Sequence, residues 1–290
     1  MKTGLVLEGG ALRGLYTMGI VDVLMEEGID FGGMVGVSAG AALGCNLKSR
    51  QPGRALRYNT RFAKDWRYCS LRSLVQTGDL FGAEFAYHTV PDTLDLFDRH
   101  AFDANPLDFW VVCTDVETGK AVYKQLRHAD YESYEWIRAS ASMPLCSRVV
   151  ELEGRKLLDG GVADSIPLRF MEEQGYDRNV VILTQPADYV KRRNRFLPLM
   201  RLSGLRHFPH FMEAVARRHE MYNEQLEYVR KREREGRVLV FRPPFSLPIG
   251  HTSHDPAEMQ TTYAIGRAQA RDRMAELQSF IANNENVQED

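Results

Sequence analysis

Gly36-Val37-Ser38-Ala39-Gly40 reads G-x-S-x-G, and its setting decides the fold. The apolar run Met34-Val35-Gly36-Val37 leads into it, and Ala41-Ala42-Leu43-Gly44-Cys45 follows, small and helix-compatible. Strand, serine, helix is the context of a nucleophile elbow. Gly36 and Gly40 flank the serine because so sharp a turn leaves no room for side chains. Such a turn holds the Ser38 hydroxyl at the C-terminal edge of a sheet. The next helix then points its positive N-terminal end at the same spot. Alone the pattern is weak, since chance supplies it in about one chain in ten of this length. Oxyanion donors and a base must come from elsewhere.

The donors are expected near the N-terminus. Gly4-Leu5-Val6-Leu7 is a short apolar strand that runs into Glu8-Gly9-Gly10-Ala11-Leu12-Arg13-Gly14. Leu15, Met18, Val21 and Leu24 then recur every third residue, with Ile20 and Val23 widening the stripe into one apolar helix face. A Gly-rich loop between strand and helix presents backbone N–H groups in a concave array. That array suits a phosphate or the oxyanion of a tetrahedral intermediate. Neither G-x-G-x-x-G nor G-x-x-x-x-G-K-[ST] spacing occurs. With the elbow one βα unit away, the oxyanion reading is preferred.

The base is expected at Asp159-Gly160-Gly161. This triplet follows Val149-Val150-Glu151-Leu152, the turn Glu153-Gly154-Arg155 and Lys156-Leu157-Leu158, a hairpin with a carboxylate at its exit. Asp-Gly is a common turn dipeptide, so its plain reading is a turn. The functional reading makes Asp159 the general base for Ser38. A carboxylate is a weak base and needs hydrogen-bond reach and shelter from water to serve.

Together and in this order, these segments resemble the patatin-like phospholipase family. Its motifs are a G-G-G-x-[RK]-G oxyanion loop, a G-x-S-x-G elbow and a downstream D-G-[GA]. Here they stand as Gly9-Gly10-Ala11-Leu12-Arg13-Gly14, Gly36 to Gly40 and Asp159-Gly160-Gly161. Arg138-Ala139-Ser140-Ala141-Ser142-Met143-Pro144 also resembles the family's A-S-x-x-x-P segment. The resemblance covers residues 4–186. It implies an α/β, three-layer fold with a largely parallel central sheet flanked by helices. It also implies a Ser38–Asp159 dyad that cleaves acyl esters of lipids through an acyl-enzyme, with no metal and no cofactor. The oxyanion donors would be the N–H groups of Gly10, Ala11 and Ala39. Arg13 would either hold the loop or meet a lipid phosphate. Ala11 departs from the motif, where the third glycine is usual; if that position needs a positive φ, Ala11 is strained. Residues 187–283 are expected as a mainly helical extension packed on the catalytic part, similar to the tail of a bacterial subgroup, and 284–290 as a frayed tail.

Two rival readings stay open. A carboxylesterase or thioesterase on the same dyad would prefer small soluble substrates. A lipid- or partner-binding protein on the same scaffold would bind without turnover.

The bulk properties set bounds. The 290 residues are 44% hydrophobic and 26% charged, ordinary for a globular chain. A net charge of -2 argues against nucleic acid as a partner. Cys45, Cys69, Cys113 and Cys146 are widely spaced and read as reduced thiols. Met1-Lys2-Thr3 enters a strand directly, so no signal peptide is expected. No apolar run approaches the ~18 residues of a membrane span. The expected setting is cytoplasmic, with peripheral membrane contact at most and an oligomeric state left open.

Strands are expected at Leu5–Leu7, Gly33–Val37, Phe109–Cys113, Ala121–Tyr123, Val180–Thr184 and Val238–Phe241. Near-continuous runs such as Val180-Val181-Ile182-Leu183 suit a sheet covered on both faces. A charged helix is expected over 213–235 and a closing helix over 256–281. The segment between Ser38 and Asp159 is expected to build the acyl pocket. Lys191-Arg192-Arg193-Asn194-Arg195 precedes Phe196, Leu199, Leu202, Phe208 and Phe211, an interleaving that suits an anionic bilayer surface. The preferred reading packs Leu199, Leu202 and Phe211 onto the domain. His207, His210, His219, His251 and His254 read as surface polarity.

Overall fold

The apolar strand signals become one eight-stranded sheet in a computed structural model that describes residues 3–282. The expected tail, 284–290, lies outside the described residues. The strands are β1 (Thr3–Leu7), β2 (Gly33–Val37), β3 (Asp108–Asp115), β4 (Ala121–Gln125), β5 (Val150–Leu152), β6 (Arg155–Asp159), β7 (Arg178–Ile182) and β8 (Val238–Phe241). Their order is β5-β6-β3-β2-β1-β7-β8, with β4 also paired to β3. The stretch β3-β2-β1-β7-β8 is parallel throughout; β4, β5 and β6 are antiparallel additions at the β3 side. Glu153 and Gly154 both take positive φ (48° and 72°), the backbone that a two-residue β5–β6 hairpin turn prefers.

The helices are α1 (Gly14–Glu26), α2 (Ala39–Lys48), α3 (Arg54–Phe62), α4 (Leu71–Thr77), α5 (Arg99–Ala104), α6 (Tyr131–Ser140), α7 (Leu168–Glu173), α8 (Leu197–Leu202), α9 (Pro209–Arg234), α10 (Pro256–Asp272) and α11 (Met274–Ala282). Strand alternation sorts them into two layers. Leu5, Leu7, Met34, Val180 and Ile182 share a cluster with α1, α2, α3, α6 and α10. Val6, Val35, Val37 and Val181 face the other way, onto α7 and α9. Both faces are dry, and each such side chain contributes about 1.5–3 kcal/mol on burial. This is the three-layer α/β arrangement expected.

Residues 187–282 are mainly helical, yet β8 extends the central sheet beside β7. α10 then crosses α1 so closely that a Cβ at Gly266 would lie 2.1 Å from the Tyr16 carbonyl oxygen. Buried Asp22 on α1 accepts bonds from Tyr263 Oη of α10 and from the Gly53 N–H before α3, at 2.7 and 2.8 Å. Burial pushes its carboxyl up to about 6. The expected closing helix is two, parted at Arg273. The strand expected to reach Thr184 ends at Ile182, because the Thr184 N–H is taken by the Glu8 carboxylate instead.

Candidate active site

Register brings the expected site residues to one edge of the sheet. Val37 pairs with Val112, and the next residue of β3, Cys113, pairs with Asp159. Ser38, one step past Val37, therefore stands level with Asp159. Its backbone has φ 54° and ψ −120°, a strained setting that costs of order 1–3 kcal/mol and turns the side chain out of the sheet. Gly36 and Gly40 make the turn possible: a Cβ on Gly40 would lie 2.3 Å from the Leu7 carbonyl oxygen, and one on Gly36 2.6 Å from the Ala41 nitrogen.

Ser140 locks the elbow. Its hydroxyl accepts the Ser38 N–H at 3.0 Å and donates to the Val112 carbonyl at 2.6 Å, tying α6 to β2 and β3. Two residues on, the Ser142 carbonyl accepts the Asp159 N–H at 2.8 Å. The segment read from sequence only as a small-residue motif thus touches both Ser38 and Asp159.

Asp159 is buried, accepts the Gly161 N–H at 2.8 Å and shares the chamber wall with Ser38. Burial raises its pKa. The Arg218 charge, the nearby Ser38 hydroxyl, the Gly161 N–H and the Lys191 charge oppose that rise. Arg218 lies over Gly161: its Nε donates to the Gly161 carbonyl at 2.5 Å, and a Cβ there would meet Nη2 at 2.9 Å. At Gly160 a Cβ would lie 2.0 Å from the Val112 carbonyl oxygen.

The oxyanion loop folds back beside Ser38. A Cβ on Gly9 would come within 2.9 Å of Ser38 Cβ. Ala11 has φ 50°, so the departure from glycine does carry left-handed strain. Gly14 opens α1 against Ala39 and Leu43 of α2. Among the described residues, no backbone hydrogen bond engages the N–H groups of Gly10, Ala11 or Ala39. The Ser38 N–H is spent on Ser140 and is not a fourth donor.

Four more residues escape the sequence reading. Glu8 is buried and accepts Tyr222 Oη and the Thr184 N–H, both at 2.6 Å, which fixes the loop's first residue. Its only sequence signal is a carboxylate ending an apolar strand. His251 is not mere surface polarity: its Nε2 accepts Arg13 Nη1 at 2.7 Å at the wall of the site. Burial, with the charges of Arg13, Lys191 and Arg218, pushes its pKa down to about 4, so the ring is neutral at pH 7. Lys191 and Arg218 come from beyond residue 186, where the sequence assigns no site residue.

Two cavities meet at Ser38 and Ala11. One, about 110 Å³, is a narrow apolar slot lined by Tyr58, Tyr68, Phe81, Val90, Phe97 and Ile137. The other, about 400 Å³, is a chamber of mixed lining, polar on the side where Asp159, Arg13, Lys191, Arg218 and His251 stand in its wall. Its mouth carries Phe196 and Leu199. Phe196, Leu199 and Leu202 are 58%, 55% and 78% exposed, whereas Phe211 is fully buried. The preferred packing of Leu199 and Leu202 therefore fails: Met200 takes the inward face of α8, which at 3.6 residues per turn puts Leu202 on the opposite face and Leu199 on the flank.

A patatin-like phospholipase family model matches residues 5–171, and a domain family of unknown function, DUF6363, matches 208–282. The uncharacterized protein YjjU of Escherichia coli K12 is 27% identical over 280 residues, covering 92% of this chain and 75% of its own. Lysophospholipase nte1 of Aspergillus niger is 30% identical over 196 residues. The match takes in 61% of this chain but only 11% of that protein. Among solved structures, VipD from Legionella pneumophila aligns with a TM-score of 0.48 at 12% identity, over 95% of this chain and 67% of its own. The family model spans more than half of the sequence, and the chain belongs to the patatin-like phospholipase family of carboxylic-ester hydrolases.

Proposed function

We propose that this protein is a lipid acyl hydrolase working through a Ser38–Asp159 dyad and an acyl-enzyme. The observation that carries the reading is a strained Ser38 set level with the buried Asp159 carboxylate, both in the wall of one chamber. Ser38 Oγ attacks the ester carbonyl as Asp159 takes its proton. The N–H groups of Gly10, Ala11 and Ala39 receive the oxyanion, and one such donor can be worth ~3–4 kcal/mol. Collapse expels the alcohol, which takes the proton from Asp159. Water, deprotonated by the same carboxylate, then releases the acid. The apolar slot beside Ser38 suits the first carbons of an acyl chain next to the scissile carbonyl. In this reading residues 4–186 carry the chemistry, and the segment from 187 closes the chamber.

The substrate is proposed to be met at a lipid surface. Among the described residues no helix is long and apolar enough to cross a membrane. Phe196 and Leu199 instead stand exposed at the chamber mouth, with exposed Leu202 at the end of α8, among Arg192, Arg193, Arg195, Arg201 and Arg206 of the same stretch. Apolar tips among cations suit an anionic interface, at about 1 kcal/mol for each basic residue near it.

Three outcomes are expected. Asp159→Asn should fold as the wild type does and lose about 10²–10⁴-fold in kcat on a long-chain ester; retained turnover would move the base elsewhere. Because Asp159 must be ionised to accept the proton and burial raises its pKa, kcat/KM should fall as pH drops through a midpoint above the ordinary ~4 of a carboxylate. A midpoint at or below that value contradicts a buried base. In co-sedimentation, wild type should bind anionic vesicles better than an Arg192→Glu/Arg193→Glu/Arg195→Glu variant does; equal binding would sink the surface contact.

A further inference from the structure

The chamber holds more positive charge than the fold uses. Arg13, Lys191 and Arg218 all open onto it. None of the three belongs to an ion pair among the described residues. Arg13 is turned to neutral His251, and Arg218 gives one N–H to the Gly161 carbonyl. The two carboxylates in the wall, Glu8 and Asp159, have their own partners in Tyr222, Thr184 and Gly161. Three cations therefore face two engaged carboxylates.

Lys191 is the most telling of them. Its ammonium lies 4.4 Å from the centroid of the Tyr222 ring and has no hydrogen-bond acceptor among the described residues. The ammonium is partly exposed to the chamber, so its charge is open to a ligand there. Burial, with Arg218 and Arg13 close by, holds its pKa down to about 8. Yet its place is built, not accidental. Asn223 of α9 clamps the Lys191 backbone from both sides: Oδ1 accepts the Lys191 N–H at 2.9 Å, and Nδ2 donates to its carbonyl at 3.0 Å.

The two cavities give this charge a direction. With an acyl chain in the apolar slot and the carbonyl at Ser38, the leaving alcohol extends into the chamber. In a lipid phosphate only the glycerol carbons separate the scissile ester from the phosphorus, so the phosphate cannot leave that chamber. We infer that Lys191 and Arg218 form a subsite for the phosphate of the leaving group, and that this subsite selects phosphate-bearing acyl esters over neutral glycerides. The inference rests on the Ser38 hydrolase reading. It assigns specificity to residues outside the segment that the family model matches. Arg218 bonds to the Gly161 carbonyl beside Asp159 and its charge acts on that carboxylate more strongly than the Lys191 charge does, so the test turns on Lys191.

The test compares kcat/KM for lysophosphatidic acid and for the monoacylglycerol of the same chain, both in neutral mixed micelles. The full chain is used as wild type, Lys191→Met and Lys191→Arg. The phosphate/neutral ratio should fall roughly tenfold or more in Lys191→Met, the loss expected for a charged hydrogen-bond partner, and largely recover in Lys191→Arg. Monoacylglycerol turnover reports that each variant is folded. An unchanged ratio in Lys191→Met overturns the subsite. If inorganic phosphate then still raises the Tm of wild type but not of Lys191→Met, the charge serves a free anion and the headgroup assignment is wrong. Failure of wild type to cleave either lipid overturns the hydrolase reading itself, and the inference with it.

Discussion

The structure depends on one strained residue. Ser38 must hold φ near +54° between a buried strand and a buried helix, and nothing in its own chemistry favours that backbone. The turn is kept by its surroundings. Gly40 lies against the Leu7 carbonyl, Gly36 against the start of α2, and Ser140 holds the Ser38 N–H from across the sheet. Each contact joins the elbow to a different strand or helix. Relaxing the turn would mean moving β1, α2 and α6 together. Packed interiors resist such movement, and that is how a few kcal/mol of local strain persists.

From that fixed point the site divides in two. On one side the segment between Ser38 and Asp159 wraps an aromatic slot; on the other the chain beyond residue 186 supplies cations and an exposed apolar rim. The later segment is bound into the fold by β8 and by the close α1–α10 crossing. Glu8 shows the same economy. A single carboxylate takes bonds from Tyr222 on α9 and from the Thr184 backbone, so the oxyanion loop and the C-terminal segment share one anchor.

Much of this was legible in the sequence because it is local. A strand ending in glycines, a serine between glycines and a hairpin ending in Asp-Gly each declare themselves within ten residues. The sheet class follows from short apolar runs covered on both faces. What stayed hidden is separated along the chain. Ser140 meets Ser38 across 102 positions, Glu8 meets Tyr222 across 214, and Arg13 meets His251 across 238. No periodicity encodes those pairings. Leu199 and Leu202 misled for a related reason: apolar residues on a one-and-a-half-turn helix cannot all face inward once Met200 does. Ala11 was the opposite case, a departure visible in sequence whose positive φ follows from its place in the loop.

The central claim is that Ser38 is a nucleophile activated by Asp159. A fluorescent fluorophosphonate tests it most directly, applied to folded wild type, Ser38→Ala and Asp159→Asn, with the modified peptide identified by mass spectrometry. The account predicts a single adduct on Ser38 in wild type, none in Ser38→Ala and much slower labelling in Asp159→Asn. An adduct on another residue, or equal labelling rates in wild type and Asp159→Asn, would contradict it.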